Sequence, residues 1–396
     1  MLSNYNDINK IKTNKIEKPP VWVATPPALA AMLAGLAREP ALAVDTESDS
    51  LYSYFEKVCL LQFSTRAEDY VVDPLALADL ASLGPLFADP AVVKVFHAAE
   101  YDILCLKRDD QFRFANIFDT MIAARVLGWK NVGLGNILQE RFGVTLNKKM
   151  QRADWGHRPL SAEQIAYARE DTHYLLALRD LQMAELERTG RLEEAREEFD
   201  RLTRVEPTPR RFDADAYWNM DGARDLDPVQ LGILRELFHF RDTQARKEDR
   251  PPFKVLSDAS LLRIAHARPA WPHDLARISG VSSYVIHRYG QAILNSAERG
   301  RATPQAATPH PRNRREAPLD NAARVRLGRL KEWRKQVADA RGVAPGVVVS
   351  NDVLFAAARK NPHTLEALVD ASRLGPWKVK QYGEEMLAVL QGKKHS

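Results

Sequence analysis

Short apolar runs bounded by turn residues come first along this chain, and segments whose apolar positions recur every three or four residues come later. Thr25-Pro26-Pro27 offers a helix cap followed by proline in the first turn, and residues 28 to 40 then read as a short amphipathic helix. Four strand-like runs follow: ALAVDTES (41 to 48), VCLLQFST (58 to 65), DYVVDP (69 to 74) and VVKVFHA (92 to 98). Three of them are joined by short connections, which predicts an antiparallel meander. Helical periodicity takes over at 99 to 107, 120 to 127, 133 to 142, 161 to 169 and 171 to 188, with one further short strand near 115 to 118. Strands followed by helices over residues 21 to 200 predict an α/β domain. Residues 1 to 20, rich in Asn, Lys and Ile, show no periodicity that buries a face and are expected to form a disordered extension.

From about Leu226 the strand signals nearly vanish and an internal repeat begins. Aligned without a gap at an offset of 93 residues, Leu234 matches Leu327, Arg241 matches Arg334, Pro252 matches Pro345, Ser257 matches Ser350, Leu261 matches Leu354 and Tyr289 matches Tyr382. Such an offset is too long for a solenoid period, so the pattern predicts a duplicated small helical domain. The expected organisation is a connector at 201 to 225, helical domains at 226 to 298 and 319 to 392, and a Pro/Arg-rich linker at 299 to 318.

Composition narrows the class. With 45% hydrophobic and 28% charged residues the balance is that of a globular protein, and no stretch approaches the roughly 18 apolar residues of a membrane span. The N-terminus lacks an apolar signal region. The two cysteines, Cys59 and Cys105, sit in apolar runs without metal or disulfide spacing, so a reduced, cytoplasmic setting is expected. The net charge of +5 hides an asymmetry: residues 21 to 200 carry 19 basic against 28 acidic side chains, residues 201 to 396 carry 34 against 22. A basic half suits a polyanionic partner, whereas an acidic half that must approach the same polyanion needs cations to do so.

Three patterns could carry chemistry. Asp45 and Glu47 are i and i+2 on a predicted strand, hence side by side on one face. Such a pair is common by accident, and alone it more often marks a strand-end turn than a metal site. Asp102 falls on the first turns of a helix that follows a strand, where the helix dipole also favours an acid. Tyr167 and Asp171 are i and i+4 on a helix and share a face. Asp119-Thr120 opens an apolar helical run and is better explained as a helix cap than as a fifth ligand.

In that order within one domain, the three patterns resemble the motifs of the DEDD 3′-to-5′ exonuclease superfamily, in the branch whose third motif carries Tyr. HAAEYDILCL, DTMIAARVLG and LNKKMQRADWGHRPLSAEQIAYAREDTHYLL further resemble the bacterial ribonuclease D family, and the duplicated module, with FRDTQARKEDRPPFKVLSD, is similar to the helicase-and-RNase-D C-terminal (HRDC) domain. Ala98 stands where many relatives carry Asn, which touches a secondary polar contact and not a metal ligand.

The resemblance implies an RNase H-like exonuclease domain with a mixed sheet, followed by two small all-α HRDC-like domains. It implies a 3′-to-5′ exoribonuclease in which Asp45, Glu47, Asp102 and Asp171 bind two Mg²⁺ or Mn²⁺ ions, Asp45 bridging them. Tyr167 would orient the attacking water, and nucleoside 5′-monophosphates would leave one at a time. RNA is the expected partner, tRNA precursors first, with no membrane and no obligate protein partner indicated. Substrate contacts are expected from Thr46, His97, Lys148, Lys149, Arg152 and Arg158, although His97 also reads as a packed residue and the basic loop as a solvated one. A DNA exonuclease on the same fold remains open, because four carboxylates do not tell one sugar from another. So does an RNA-binding adaptor that has lost activity, although all five motif residues are present.

Overall fold

A six-stranded mixed sheet organises the first half of the computed structural model, which describes residues 18 to 77, 79 to 305 and 319 to 393. Its strands are β1 (Val21–Val23), β2 (Ala41–Ser48), β3 (Val58–Ser64), β4 (Asp69–Val72), β5 (Val93–Phe96) and β6 (Ile117–Asp119), in the order β1-β4-β3-β2-β5-β6. β3 and β4 are antiparallel, while β1 with β4, β2 with β5 and β5 with β6 are parallel. Strand β1 was not expected from the sequence, since three residues are too few to show an alternation. It is fixed instead by pairing, with Val23 opposite Val72.

The helices of this half are α1 (Pro26–Leu36), α2 (Gly84–Ala88), α3 (Glu100–Asp110), α4 (Thr120–Leu127), α5 (Leu134–Phe142), α6 (Ala162–His173), α7 (Leu175–Arg188) and α8 (Leu192–Thr203). They cover the sheet on both sides, which is why β2 begins with an unbroken apolar run. Leu42 and Val44 pack in one core with Leu29, Met32, Ile103 and Leu106, while Ala41 and Ala43 lie in the other with Ala123, Leu178 and Phe199. The period of two continues past Val44, so Asp45 and Glu47 extend the face begun by Ala41 and Ala43.

The chain falls into two compact units. One holds the chain up to Glu47, Val58–Thr208 and the second helical module; the other holds Ser48–Lys57, the chain from Pro209 onward and the first helical module. The first module consists of α9 (Pro228–Lys247), α10 (Pro252–Val255), α11 (Asp258–Ala267), α12 (Pro272–Leu275) and α13 (Ser283–Ala302). The second consists of α14 (Asn321–Arg341), α15 (Pro345–Val348), α16 (Asn351–Lys360), α17 (Leu365–Ser372) and α18 (Pro376–Leu390). Every helix of the second begins 93 residues after its counterpart. The repeated arginine does the same work in both copies: Arg241 donates to the Leu256 carbonyl and to Asp258, and Arg334 to the Val349 carbonyl and to Asn351.

Two expected boundaries are corrected. The stretch at 201 to 225 is not a bare connector, because α8 runs through Thr203 and Tyr217, Trp218, Met220 and Ala223 are buried in the core of the first module. These side chains are too apolar to be left in water. The linker expected from 299 starts later, since α13 continues to Ala302. Residues 306 to 318 of that linker, and residues 1 to 17 of the expected extension, lie outside the described residues.

Candidate active site

Three elements bring the motif residues together. The end of β2 carries Asp45 and Glu47 out of the core, as its burial changes from complete to partial after Val44. Helix α6 is started by a reciprocal cap, in which Ser161 accepts from the Gln164 N–H and the Gln164 side chain accepts from the Ser161 N–H. Its other faces are pinned to the sheet: Thr172 meets Ser64 at 2.7 Å, and Arg169 and His173 both reach Asp69 of β4, at 2.6 and 2.9 Å. Tyr167 and Asp171 are thereby left facing β2. Ligand oxygens of Asp45, Glu47 and Asp171 lie within 4.8 Å of one another, and the Tyr167 hydroxyl is hydrogen-bonded to Asp171.

Asp102 stands outside that triad, buried on the first turn of α3, where it accepts a hydrogen bond from the Thr46 hydroxyl. The helix carrying it is aimed by Asp119. One Asp119 oxygen caps Ile122 of α4 at 2.9 Å and the other takes the Ala99 N–H ahead of α3 at 2.8 Å, so this residue is a double cap and not a ligand. That second bond was not visible in the sequence.

The four carboxylates all titrate above their ordinary range. Burial is the main cause for each; for Asp45 it is joined by the charges of Asp102, Asp171 and Glu47, and Asp45 is raised well above normal. Glu47 is pushed up to about 9, by burial and then by Asp171 and Asp102. Asp102 and Asp171 are each raised to about 7. Tyr167 is raised as well, by burial and then by Asp171, Glu47 and Asp45, and stays a phenol. Oxygen donors this close repel one another until a cation lies between them, and hard divalent ions are the cations such donors prefer. The donor set therefore fits a divalent metal.

Asp45, Glu47 and Asp171 open into a cleft of about 390 Å³, also lined by Thr46, Tyr167, His97, Met121, Gly133 to Asn136, Leu146 and Gln151. Among the described residues no Lys or Arg lines it. The start of α5, with Gly133, Gly135 and Asn136, was not assigned to the site from sequence; a Gly-x-Gly-Asn helix start was the only available signal.

The expected substrate contacts divide. Thr46 lines the cleft, but its hydroxyl proton goes to Asp102. His97 lines it too, with Nδ1 2.8 Å from the Thr120 hydroxyl. Lys149 and Arg152 are exposed in the 3-10 turn Lys148–Arg152, whose Gln151 reaches the cleft; the Lys148 side chain lies outside the described residues. Arg158 is corrected. Its guanidinium has five N–H donors, and these go to both oxygens of Asp73, each at 2.8 Å, and to the carbonyls of Cys59, Trp155 and His157. It clamps the loop before α6 and has no donor left for a phosphate.

A 3′-5′ exonuclease family model matches residues 20–187, and an HRDC domain model matches residues 230–296 and 323–390. Ribonuclease D of Gluconacetobacter diazotrophicus is 35% identical over 386 residues, covering 96% of this chain and 96% of the relative. The exosome complex exonuclease RRP6 of Saccharomyces cerevisiae is 31% identical over 74% of this chain and 42% of its own length. Among solved structures, the catalytic core of RRP6 from Trypanosoma brucei superimposes with a TM-score of 0.64 at 31% identity, covering 75% of this chain and 85% of that one. Escherichia coli RNase D shares the fold, with a TM-score of 0.65 at 23% identity over 96% of this chain and all of the other. With the exonuclease model followed by two HRDC matches, and relatives similar over nearly its full length, the chain belongs to the ribonuclease D family of 3′-to-5′ exoribonucleases.

Proposed function

We propose that Asp45, Glu47, Asp102, Asp171 and Tyr167 carry the hydrolysis, and that the enzyme trims the 3′ ends of structured RNAs, tRNA precursors first, in the cytoplasm. Its substrate is RNA and its family works with divalent metal. The four carboxylates would hold two ions, Mg²⁺ or Mn²⁺, whose chemistry when bound is to neutralise charge on the phosphate oxygens and to acidify a nucleophilic water.

The observation that carries this reading is the gathering of acidic groups in a cleft whose described lining has no Lys or Arg. A polyanion enters such a cleft only with cations already there. The Tyr167 hydroxyl donates to Asp171, which leaves its oxygen lone pairs to accept a hydrogen bond from the attacking water. A phenol with a raised pKa orients water and does not deprotonate it. Thr46 holds Asp102 in place. Each cycle frees one nucleoside 5′-monophosphate, the work of residues 21 to 200, while the helical domains grip the body of the RNA.

Digestion of a labelled single-stranded RNA with Mg²⁺, with and without chelator, tests the reading through its nucleotide products. Asp45→Asn is expected to abolish release, and wild-type turnover by that variant at saturating Mg²⁺ would overturn the assignment. Tyr167→Phe keeps the ring 6.0 Å from Trp155 and removes only the hydroxyl, so kcat should fall about 10²-fold with KM little changed.

A further inference from the structure

Helix α6 has a second cavity on the face turned away from the carboxylates. Tyr167 and Asp171 line the cleft, whereas Arg169, about 200° around the helix from Tyr167, and His173 line a separate cavity of about 490 Å³ against β1 and the turn between β3 and β4. The two cavities share no lining residue. The Arg169 side chain is only 9% exposed, and its Nε donates to Asp69 at 2.6 Å. The four N–H groups on its two Nη atoms have no hydrogen-bond partner among the described residues. Neither Nη is sealed from solvent, so these donors open into the cavity that the residue lines. A guanidinium held this deep with most of its donors unspent is costly unless something brings acceptors to it.

The charge around those donors selects an anion. Lys18, Arg66 and Arg169 stand against Glu68 and Asp69 in the lining, and both acids are already engaged. Asp69 accepts from Arg169, His173 and Ser64, and Glu68 accepts from the Tyr70 hydroxyl. Arg66 pairs with Asp180 at the surface, an exposed contact of the kind that contributes little. The planar fork of an arginine matches phosphate oxygens, and three cations suit a dianion. Beside the cations Pro19, Val21 and Ala67 give an apolar wall, and a cavity of this volume is that of a small organic molecule, not of a bare ion. Because the Arg169 donors lie deep, a terminal phosphate reaches them, whereas a phosphodiester inside a strand is flanked by a sugar on each side.

We propose that this cavity binds a nucleoside 5′-monophosphate, with the phosphate on the Nη donors of Arg169, Lys18 and Arg66 closing over it, and the nucleoside against Pro19, Val21 and Ala67. The site goes beyond the catalytic reading above and does not depend on it, since no motif residue takes part.

The test titrates adenosine 5′-monophosphate into the full-length protein by calorimetry, in chelator and at about pH 8, where the phosphate is a dianion. Without metal the ionised carboxylates of the cleft repel that dianion, so the heat reports the second cavity. Adenosine, inorganic phosphate and a short RNA with hydroxyls at both ends should each bind at least tenfold more weakly than the nucleotide. Arg169→Lys keeps a cation on Asp69 but removes the fork, and should weaken the nucleotide about tenfold while leaving adenosine unchanged. Lys18→Glu, an exposed substitution that leaves the packing alone, should weaken it as well, which keeps the test decisive if the Arg169 variant melts early. Asp45→Asn should bind the nucleotide as the wild type does. Loss of binding in Asp45→Asn would place the nucleotide in the catalytic cleft and overturn the proposal. So would adenosine or inorganic phosphate binding as tightly as the nucleotide, RNA without a terminal phosphate binding as tightly, or no nucleotide binding at all. None of these outcomes touches the catalytic reading, which stands or falls on metal-dependent RNA cleavage.

Discussion

Ala98 joins β5 to α3 at a φ of 64°, in the left-handed region. A residue with a Cβ pays about 1 to 2 kcal/mol there, and Gly and Asn pay least. The bend is needed because it lets the N–H groups of Ala98 and Ala99 both meet Asp119, which aims α3 and hence Asp102. Backbone conformation at this position therefore favours Gly or Asn over Ala. Ala98→Asn or Ala98→Gly should raise the unfolding free energy by about 1 kcal/mol, read from the urea midpoint, with RNA cleavage retained. Ala98→Val, branched at Cβ, should lower it.

At the scale of elements, β2, α3 and α6 each contribute acids that repel those of the others. The raised pKa values mean that the native state holds protons that the unfolded chain has already released. Stability from this source is fully present below the ordinary carboxylate pKa of about 4. It is lost as pH rises through about 7, where Asp102 and Asp171 ionise, and toward about 9, where Glu47 does. In chelator the melting temperature should therefore fall between about pH 5.5 and 8.5. Divalent metal should flatten that fall, because an ion bound only by the native state stabilises it by mass action. Melting curves at both pH values, with and without Mg²⁺, check this, and Asp45→Asn should lessen the fall in chelator.

At the scale of the larger unit, the second helical module is held against α8 by ion pairs. Glu194, fully buried, takes a bidentate pair from Arg341, with the longer arm at 3.0 Å; Arg341 also meets the Tyr382 hydroxyl. Glu197 accepts the Trp377 N–H, and Lys378 pairs with Glu198, whose carboxyl is held below its ordinary range despite burial by that lysine and by Arg201. In the first module the position equivalent to Arg341 is Glu248, which pairs with Arg288 and accepts from Tyr289. One duplicated position has thus taken opposite charges, and in the second copy the charge serves docking. Arg341→Met would leave Glu194 buried without its partner and should cost about 3 to 5 kcal/mol in urea unfolding; adding Glu194→Met should recover most of it.

The sequence by itself determined whatever is encoded within a few residues. The caps at Thr25, Ser161 and Ser257, the alternation that sets Asp45 beside Glu47, and the i, i+4 pairing of Tyr167 with Asp171 are all local. The repeat was equally legible, because duplication copies local signals in register. Tertiary structure alone decided how charges and lone pairs are used. Arg158 looked available to a substrate until Asp73 and the Cys59 carbonyl, distant in sequence, were folded against it. The helix start at Gly133 became a cleft wall only once it was brought opposite the carboxylates. A side chain's type fixes how many hydrogen bonds it can make, but the partners that take them come from across the fold, and no local pattern names them.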